Sequence, residues 1–196
     1  MEKTLEAVDL HCVRGARTLF QQLSFTLKRG ELLRIVCGLL EPNGGEVRWG
    51  GENVRRLKEE FWVRLLYVGH SNALKDDLSA AENLAVACAL AGIVADERRI
   101  VSSLHRVGLE GRENLPARVL SQGQRRRVAL ARLALGAESP LWVLDEPFAA
   151  LDAAAIAEVQ GLIGGHVSRG GGVIYTTHHE ASIPAAVSRR IDLAGD

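Results

Sequence analysis

Cysteine is scarce in this chain, and neither sign of charge is in excess. The three cysteines, Cys12, Cys37 and Cys88, lie far apart and form no C-x-x-C pair. Their odd number and wide spacing predict reduced, mostly buried thiols and exclude a disulfide framework or a zinc ribbon. The 24 basic residues equal the 24 acidic ones, so no net charge attracts nucleic acid or an anionic membrane surface.

Long apolar runs are also absent. The longest run without a charge, residues 84–95, is bounded by Asn83 and Asp96, whereas a helix that crosses a bilayer needs about 20 apolar residues. No secretory signal or transit peptide follows Met1, which predicts a cytoplasmic protein. A content of 47% apolar and 24% charged residues excludes a disordered chain and predicts a globular one of about a single domain.

The first part of the chain contains strand patterns. Alternation of apolar and polar residues predicts short strands over residues 4–10, 19–27, 46–49 and 65–68. Residues 31–40 form an almost continuous apolar run that is typical of either a strand or a helix, and a Pro-Asn-Gly-Gly turn signal follows it. This part is therefore predicted to be rich in β structure.

Strands and helices alternate in the second part. Ser79 and Glu82 form a capping-box pattern at the start of a helix that ends near Gly92. Further helices are predicted over residues 96–107, 122–135, 152–163 and 180–187, and strands over residues 141–144, 172–177 and 190–193. This alternation predicts an α/β fold with βαβ units on a parallel sheet.

One candidate site lies at the start of the helix predicted over residues 122–135. Leu120-Ser121-Gln122-Gly123-Gln124 runs directly into an arginine-rich segment. A serine hydroxyl, exposed backbone N–H groups and the positive end of the helix dipole are the parts of an anion site, and a phosphate fits there. An ordinary serine N-cap on a basic helix explains the same five residues equally well.

A second candidate site lies where the strand over residues 141–144 ends. Asp145 and Glu146 follow this strand directly, and α/β folds place ligands at the carboxyl ends of their strands. Asp145 is predicted to hold Mg²⁺, and Glu146 to polarise an attacking water. The alternative is a solvated acidic pair that caps the next helix, and the pair alone does not decide between the two.

Two further motifs follow along the chain. Ala150-Leu151-Asp152 comes soon after the acidic pair, and Thr176-Thr177-His178 ends another apolar strand. A histidine at that strand end can donate a hydrogen bond to a phosphate oxygen, although a lone histidine more often has no catalytic role. His178-His179-Glu180 does not predict a metal site, because adjacent residues of a strand point in different directions.

In their order and spacing, these motifs resemble those of the nucleotide-binding domain of ABC transporters, over nearly the whole chain. Residues 120–124 resemble the signature sequence of that family, and residues 141–146 its Walker B strand with the catalytic glutamate. Ala150-Leu151-Asp152 resembles its D-loop, and His178 its switch histidine. The resemblance implies an α/β P-loop NTPase core with an antiparallel β subdomain and a helical signature subdomain.

Within that family, the chain most resembles the ATP-binding subunits of the haem exporters of bacterial cytochrome c maturation. Arg17-Thr18-Leu19-Phe20, Glu82-Asn83-Leu84 and Leu141-Trp142 carry this resemblance, as does His70, which stands where most ABC proteins have the Q-loop glutamine. It implies a peripheral protein on the cytoplasmic side of the bacterial inner membrane, with ATP and Mg²⁺ as cofactors. The implied partners are transmembrane export subunits and a second ATP-binding subunit in a head-to-tail dimer, with no nucleic acid.

The resemblance also implies a role for each residue that matches a family motif. Glu146 and His178 would be catalytic, and Asp145 would hold the metal. The residues that would contact the nucleotide are Ser121, Gln122, Gly123, Gln124, Asp152 and His70. The single ATP-binding domain would comprise a β-rich part over about residues 1–70, a helical part over about 71–136 and a core part over about 137–196.

The phosphate loop of that family is missing. Its form, G-x-x-x-x-G-K-[ST], supplies backbone N–H groups, a lysine and a hydroxyl, and no such string occurs in the sequence. Near Arg34 and Ile35 the flanking segments join as though roughly fifteen residues of strand end, loop and first core helix were absent. We expect a strand into about Val36, then a compressed turn and an exposed apolar seam.

The missing loop limits the activity to be expected. Without its amides, lysine and hydroxyl, most of the charge stabilisation of phosphoryl transfer is lost, so the chain is expected to be impaired or inactive as an ATPase. The alternative is a non-catalytic subunit whose Ser121, Gly123 and Asp152 complete an ATP site in trans on an intact partner. Nucleic-acid binding through Arg125-Arg126-Arg127 is the weaker alternative, because no aromatic platform accompanies these arginines.

Overall fold

A computed structural model describes residues 5–14, 17–20, 29–42 and 44–177. Residues up to 65 fall into one compact unit, and residues 66–177 into another. The division of the domain near residues 70 and 136 stays a prediction.

The described part of the first unit is an antiparallel sheet accompanied by short helices. Its elements are β1 (Leu5–Arg14), β2 (Arg17–Phe20), α1 (Arg29–Val36), β3 (Gly44–Trp49), β4 (Glu52–Asn53), α2 (Val54–Leu57) and α3 (Glu59–Trp62). The strands pair in the order β2-β1-β3-β4, and Leu5 of β1 lies opposite Trp49 of β3. The antiparallel β part predicted from the resemblance is thereby confirmed, whereas the single-turn helices α2 and α3 were not predicted.

The apolar run after Gly30 forms helix α1, so the predicted strand into Val36 is wrong. Leu33, Val36 and Cys37 share one helical face and are buried, and the Cys37 amide donates to the Leu33 carbonyl at 2.9 Å. A helix pairs its own backbone groups and needs no neighbouring strand, and residues 31–40 pair with no strand in the described part of the chain. Leu39, which follows this helix, is half exposed, and the predicted exposed apolar seam stays a prediction.

Two of the three cysteines, Cys37 and Cys88, are reduced and buried, as predicted. Cys37 and Cys88 are both free. Burial raises the pKa of the Cys37 thiol to about 12, so this side chain is neutral and acts as a small apolar residue. The Cys37 carbonyl accepts a hydrogen bond of 3.0 Å from Nε1 of Trp62, which fixes α3 against the end of α1.

The described part of the second unit combines a three-stranded sheet with five helices. Its elements are β5 (Leu65–Val68), α4 (Ala80–Leu90), α5 (Glu97–Arg106), α6 (Gln122–Leu130), α7 (Arg132–Leu135), β6 (Leu141–Asp145), α8 (Ala153–Ser168) and β7 (Gly172–Thr176). Strand β6 lies between β5 and β7 and runs parallel to β7. The predicted alternation of strands and helices is confirmed up to residue 177. The helix predicted over residues 180–187 and the strand over 190–193 lie outside the described residues.

Helix boundaries in this unit follow the capping signals of the sequence. Ser79 Oγ accepts from the Glu82 amide at 3.1 Å, and the Glu82 carboxylate accepts from the Ser79 amide at 2.8 Å, so the predicted capping box is confirmed. Asp96 caps α5 by accepting from the Arg99 amide at 2.8 Å. The single helix predicted over residues 122–135 is interrupted at Ala131, where α6 ends and α7 begins.

Two apolar clusters hold the second unit together. One packs α4 and α5 against α6 through Leu84, Leu104 and Val128. The other surrounds β6, all five residues of which are buried. Within the described ranges, no helix has both the length and the apolar content needed to cross a bilayer.

A buried histidine lies against the central strand. His166 of α8 stacks on Trp142 of β6, with ring centroids 3.9 Å apart and an interplanar angle of 6°. Burial, and next the nearby charge of Arg169, lower the pKa of His166 below its ordinary value of 6.5. The ring is therefore neutral in the folded chain at neutral pH.

We expect the free energy of unfolding to decrease as the pH falls below about 6.5. In that range the unfolded chain protonates His166 to a greater extent than the folded chain does, so the unfolded state binds more protons and stability rises with pH. Urea unfolding between about pH 7 and pH 5 measures this slope. His166→Phe keeps an aromatic ring without a titrating group, and equal slopes in both proteins would contradict the assignment.

Candidate functional site

The motif at residues 120–124 forms the N-terminus of α6. Ser121 Oγ accepts from the Gln124 amide at 3.3 Å, and the Gln124 side chain accepts from the Ser121 amide at 2.9 Å. In this structure Ser121 therefore acts as an N-cap and forms a capping box with Gln124. Ser121 and Gln122 are exposed, so this helix end also remains open to a ligand or a partner.

Gly123 is where α6 comes closest to the segment after β6. A Cβ built on Gly123 would lie 2.7 Å from the carbonyl oxygen of Ala150, and Ala150 has a positive φ of 61°. The glycine thus allows a backbone approach that no other residue permits. The signature-like and D-loop-like motifs, which are 26 residues apart in the sequence, meet at this point.

The acidic pair lies at the carboxyl end of β6, as predicted. Asp145 is 8% exposed, and its Oδ1 accepts from the Thr176 hydroxyl at 2.8 Å. The same hydroxyl oxygen accepts from the Glu146 amide at 3.1 Å. Glu146 has a φ of 49°, a left-handed conformation that costs about 1 kcal/mol or more for a residue with a Cβ. The end of β7 therefore holds both acidic residues through one threonine.

Asp152 has a structural role in this structure. Its carboxylate caps α8 by accepting from the Ala155 amide at 2.9 Å and also pairs with Arg127 of α6. The Ala155 amide, followed by Arg127, holds the pKa of Asp152 below its usual value. Its predicted contact with a nucleotide stays a prediction, because these two contacts account for the position of the carboxylate without a ligand.

His70 and His178 are less well placed by the structure. His70 is exposed in a bend after β5, next to Gly69. His178 lies outside the described residues. The roles of both histidines stay predictions.

Sequence reasoning missed the most buried charged group near the site. Arg126 of α6 is 4% exposed, and its guanidinium donates to the carbonyls of Asp145 and Glu146 at 2.7 and 3.0 Å. In the sequence it stands inside Arg125-Arg126-Arg127, which the basic signature helix explained as a set. The available signal was position: Arg126 lies three and four residues before Ala129 and Leu130, and therefore on the same face of α6 as these apolar residues.

The residues that the structure describes do not by themselves complete an MgATP site. No glycine-rich loop with a following lysine exists in the sequence. Asp145 offers Mg²⁺ one carboxylate, one oxygen of which already accepts from Thr176, and the hydroxyl and the phosphates that would complete the coordination depend on the missing loop. Among the residues that the structure describes, no group of three His, Cys, Asp or Glu side chains could hold a metal ion.

Comparison with curated proteins gives close relatives over nearly the full length. The chain is 47% identical to the cytochrome c biogenesis ATP-binding export protein CcmA of Nitrosospira multiformis, covering 97% of this chain and 98% of that protein. It is 49% identical to the protein of the same name from Aromatoleum aromaticum, covering 93% of each. Identity to the Salmonella typhi protein is 43%, covering 97% of each.

Solved structures with the same fold include ATP-binding cassettes. A putative ABC transporter ATP-binding protein from Pyrococcus furiosus superposes with a TM-score of 0.74 at 22% identity, covering 94% of this chain and 96% of that one. An ATP-binding cassette dimer in a post-hydrolysis state with ADP and phosphate gives a TM-score of 0.73 at 22% identity, covering 90% of this chain and 88% of that one. These likenesses confirm the predicted fold class.

The alignments also contain internal gaps. The one with the Nitrosospira protein extends over 204 positions, more than the 196 residues of the chain. Because it includes 97% of this chain, or about 190 residues, about 14 of its positions are gaps here. The Salmonella typhi alignment, over 205 positions with the same share, has about 15. These numbers agree with the missing segment predicted from the sequence.

A family model described as ABC transporter matches residues 29–149, from α1 through the acidic pair to the segment after β6. This match includes the residues 120–124 motif and the acidic pair whose geometry is given above. Together with the full-length relatives, it establishes the assignment that the order of motifs predicted: the chain belongs to the ABC transporter family, with cytochrome c biogenesis ATP-binding export proteins among its relatives.

Proposed function

We propose that this chain is an ATP-binding subunit of an ABC-type haem exporter of cytochrome c biogenesis, and that it does not hydrolyse ATP by itself. The identity of 43 to 49% to cytochrome c biogenesis export proteins, over nearly all of the chain, supports the first part. The absence of any phosphate-loop string supports the second. The subunit would lie on the cytoplasmic face of the bacterial inner membrane, bound to transmembrane export subunits.

The chain retains some of the groups that a nucleotide site needs and lacks others. Asp145 and Glu146, held by Thr176, keep the carboxylates that would meet a metal and an attacking water. The amides, lysine and hydroxyl that would hold the β- and γ-phosphates are lacking, and phosphoryl transfer depends on positioning and charge stabilisation by those groups. We therefore derive no hydrolytic step for this chain alone.

Helix α1 supports a position for the junction where the segment is missing. The phosphate loop joins a strand to a following helix, and the helical, buried Leu33, Val36 and Cys37 fit the end of that helix. Gly30-Glu31 fits the segment before the lost strand. The junction therefore lies between Glu31 and Leu32 rather than at the Arg34–Ile35 position inferred from the sequence, and the lost residues are the strand, the loop and the first part of the helix.

We expect MgATP affinity to be at least about a hundredfold weaker for this chain than for one in which the missing segment is restored, equivalent to ~2.8 kcal/mol. The restored chain carries a strand, phosphate loop and helix start inserted between Glu31 and Leu32. Calorimetric titration with MgATP measures both affinities. The matched control carries the same insert with its lysine changed to alanine and should bind as weakly as the original chain.

Two other outcomes have distinct meanings. Tight MgATP binding by the original chain would overturn the claim that its phosphate cradle is lost. Binding restored by an insert at Arg34–Ile35, but not by one at Glu31–Leu32, would overturn the placement of the junction while leaving the proposed function intact.

A second candidate function is donation of the signature motif in trans to an intact ATP-binding partner. The observation that favours it is the exposed N-terminus of α6, with Ser121 and Gln122 on the surface. Such a helix end supplies backbone N–H groups and a positive dipole to a phosphate held by another subunit.

This candidate function is tested by complementation. An intact relative whose own signature serine has been replaced should regain ATP hydrolysis when this chain is added. The Ser121→Arg variant of this chain, which blocks the helix end, should not restore it. Equal rescue by both variants would contradict donation of the signature.

A further inference from the structure

Arg126 is a buried cation that is held by backbone carbonyls of two separate segments. On one side, its guanidinium donates to the carbonyls of Asp145 and Glu146 at 2.7 and 3.0 Å. On the other side, it donates to the Gly69 carbonyl at 2.8 Å and to Asn72 Oδ1 at 3.3 Å. Its Nε has no partner among the described residues. A side chain that is 4% exposed thus connects α6 to the end of β6 and to the segment after β5.

The arrangement differs from an ordinary buried ion pair. Arg126 forms no direct salt bridge with a carboxylate in the described part of the chain, and the charges of Asp145 and Glu146 act on it from nearby. Taking a guanidinium out of water is costly, and charge-assisted bonds to several carbonyls offset that cost only while the carbonyls stay in place. The arginine and the two segments therefore fix each other.

The Glu146 carbonyl has a second role in the same turn. It also accepts from the Ala149 amide at 3.1 Å, which closes the turn that follows the left-handed Glu146. A strained backbone conformation persists only where surrounding contacts over-determine it. Arg126 supplies two such contacts from one side, and Thr176 supplies one from the other.

We propose that Arg126 is a positioning residue that sets the backbone, and hence the carboxylate direction, of Glu146 and ties it to the segment Gly69–Asn72 that carries His70. The catalytic meaning of this role rests on the proposed function, because Glu146 acts only where a nucleotide is bound. The positioning of the Glu146 backbone by Arg126 does not rest on the proposed function, since it concerns contacts within this chain. A movement of α6, which carries the signature-like motif, would therefore be transmitted through Arg126 to the acidic pair and to the segment that contains His70.

Amide hydrogen exchange on the full chain without nucleotide tests the proposal. In Arg126→Met, amide exchange should be about tenfold faster at Glu146, Ala149 and Ala73, which is the factor expected for loss of a charge-assisted hydrogen bond. The Ala73 amide reports on the segment after β5, because it is bonded to Ser71 Oγ at 3.4 Å. Amides of α5 should keep their rates. Arg126→Lys, which retains a donor, should give an intermediate effect at the same amides.

Asn72→Ala separates the two sides of the contact. It should speed exchange at Ala73 and leave Ala149 unchanged, whereas Arg126→Met changes both. Arg98→Met, at an exposed arginine of α5, is the matched control and should change neither.

Two results would overturn the proposal. The first is unchanged amide exchange at Glu146 and Ala149 in Arg126→Met. The second is a uniform increase in exchange over the whole second unit, because it would indicate a purely structural arginine. Failure of MgATP binding in the restored chain would instead contradict the proposed function, and it would leave the exchange result standing.

Discussion

Replacing Asn83 by alanine is expected to lower the free energy of unfolding by about 3 kcal/mol, since several buried hydrogen bonds are lost at once. Asn83 of α4 is 5% exposed. Its Oδ1 accepts from the Lys75 amide at 2.8 Å, and its Nδ2 lies 3.0 Å from each of the carbonyl oxygens of Lys75, Leu78 and Ser79. One side chain thus closes the loop that leads from the His70 segment into α4.

The cost arises because alanine leaves the loop's own groups unpaired. The Lys75 amide loses its acceptor, and the three carbonyls lose a shared donor in a part-buried site where water does not replace it fully. In a domain of this size, about 3 kcal/mol corresponds to a drop in the melting temperature of roughly 6 to 12 °C. Thermal unfolding followed by circular dichroism measures it.

Two comparison variants make the Asn83 result specific. Asn114→Ala, at an exposed asparagine of a loop, should leave the melting temperature within about 2 °C of the original. Asn83→Asp keeps the acceptor for Lys75 but cannot donate, so it should destabilise nearly as much as alanine. A melting temperature of Asn83→Ala equal to that of Asn114→Ala would show that the loop is held by other contacts.

Local capping signals were reliable guides to the second unit. The capping box of Ser79 with Glu82 and the serine N-cap at Ser121 each place a helix start correctly, because such bonds join residues close in sequence and need no tertiary partner. The strand before Asp145 was also predictable, since a short apolar run that ends in an acidic pair is too brief for a helix.

Helix α1 could not be assigned in this way. An apolar run such as residues 31–40 suits a strand or a helix equally, and the choice depends on whether a neighbouring strand pairs with it. The family resemblance favoured a strand before the lost loop. The segment is helical, which agrees with the proposal that it comprises the residues that would follow the loop.

The contacts of Arg126, Arg127 and Asp152 were beyond sequence reasoning for a different reason. Arg126 bonds to Gly69 and Asp145, at separations of 57 and 19 residues, and Asp152 pairs with Arg127 across 25 residues. Such partners are set by how the helices pack on the sheet. A motif identifies which residue types are present but not which backbone atoms they reach.

Gly123→Ala is expected to destabilise the chain by about 1–3 kcal/mol, because a new Cβ would overpack the site. The clash is with the Ala150 carbonyl oxygen, at 2.7 Å. That oxygen belongs to the backbone, so no side-chain rotation relieves the contact, and either α6 or the segment after Glu146 must shift. The sign of the change in the free energy of unfolding is informative, since alanine in a helix interior otherwise stabilises by up to about 1 kcal/mol relative to glycine.

Gly161→Ala provides the matched control within the same unit. Gly161 is an exposed residue of α8, and a Cβ there meets nothing within 4 Å, so the substitution should stabilise the chain by about 0.5–1 kcal/mol. Urea unfolding of the two variants beside the original chain measures both changes. Opposite signs for Gly123→Ala and Gly161→Ala would establish that the signature-like glycine is required for packing of the isolated chain, independently of any nucleotide. If Gly123→Ala stabilises as Gly161→Ala does, the close approach to Ala150 does not exist in solution, and the glycine would then be explained by contact with a ligand or partner at the open end of α6.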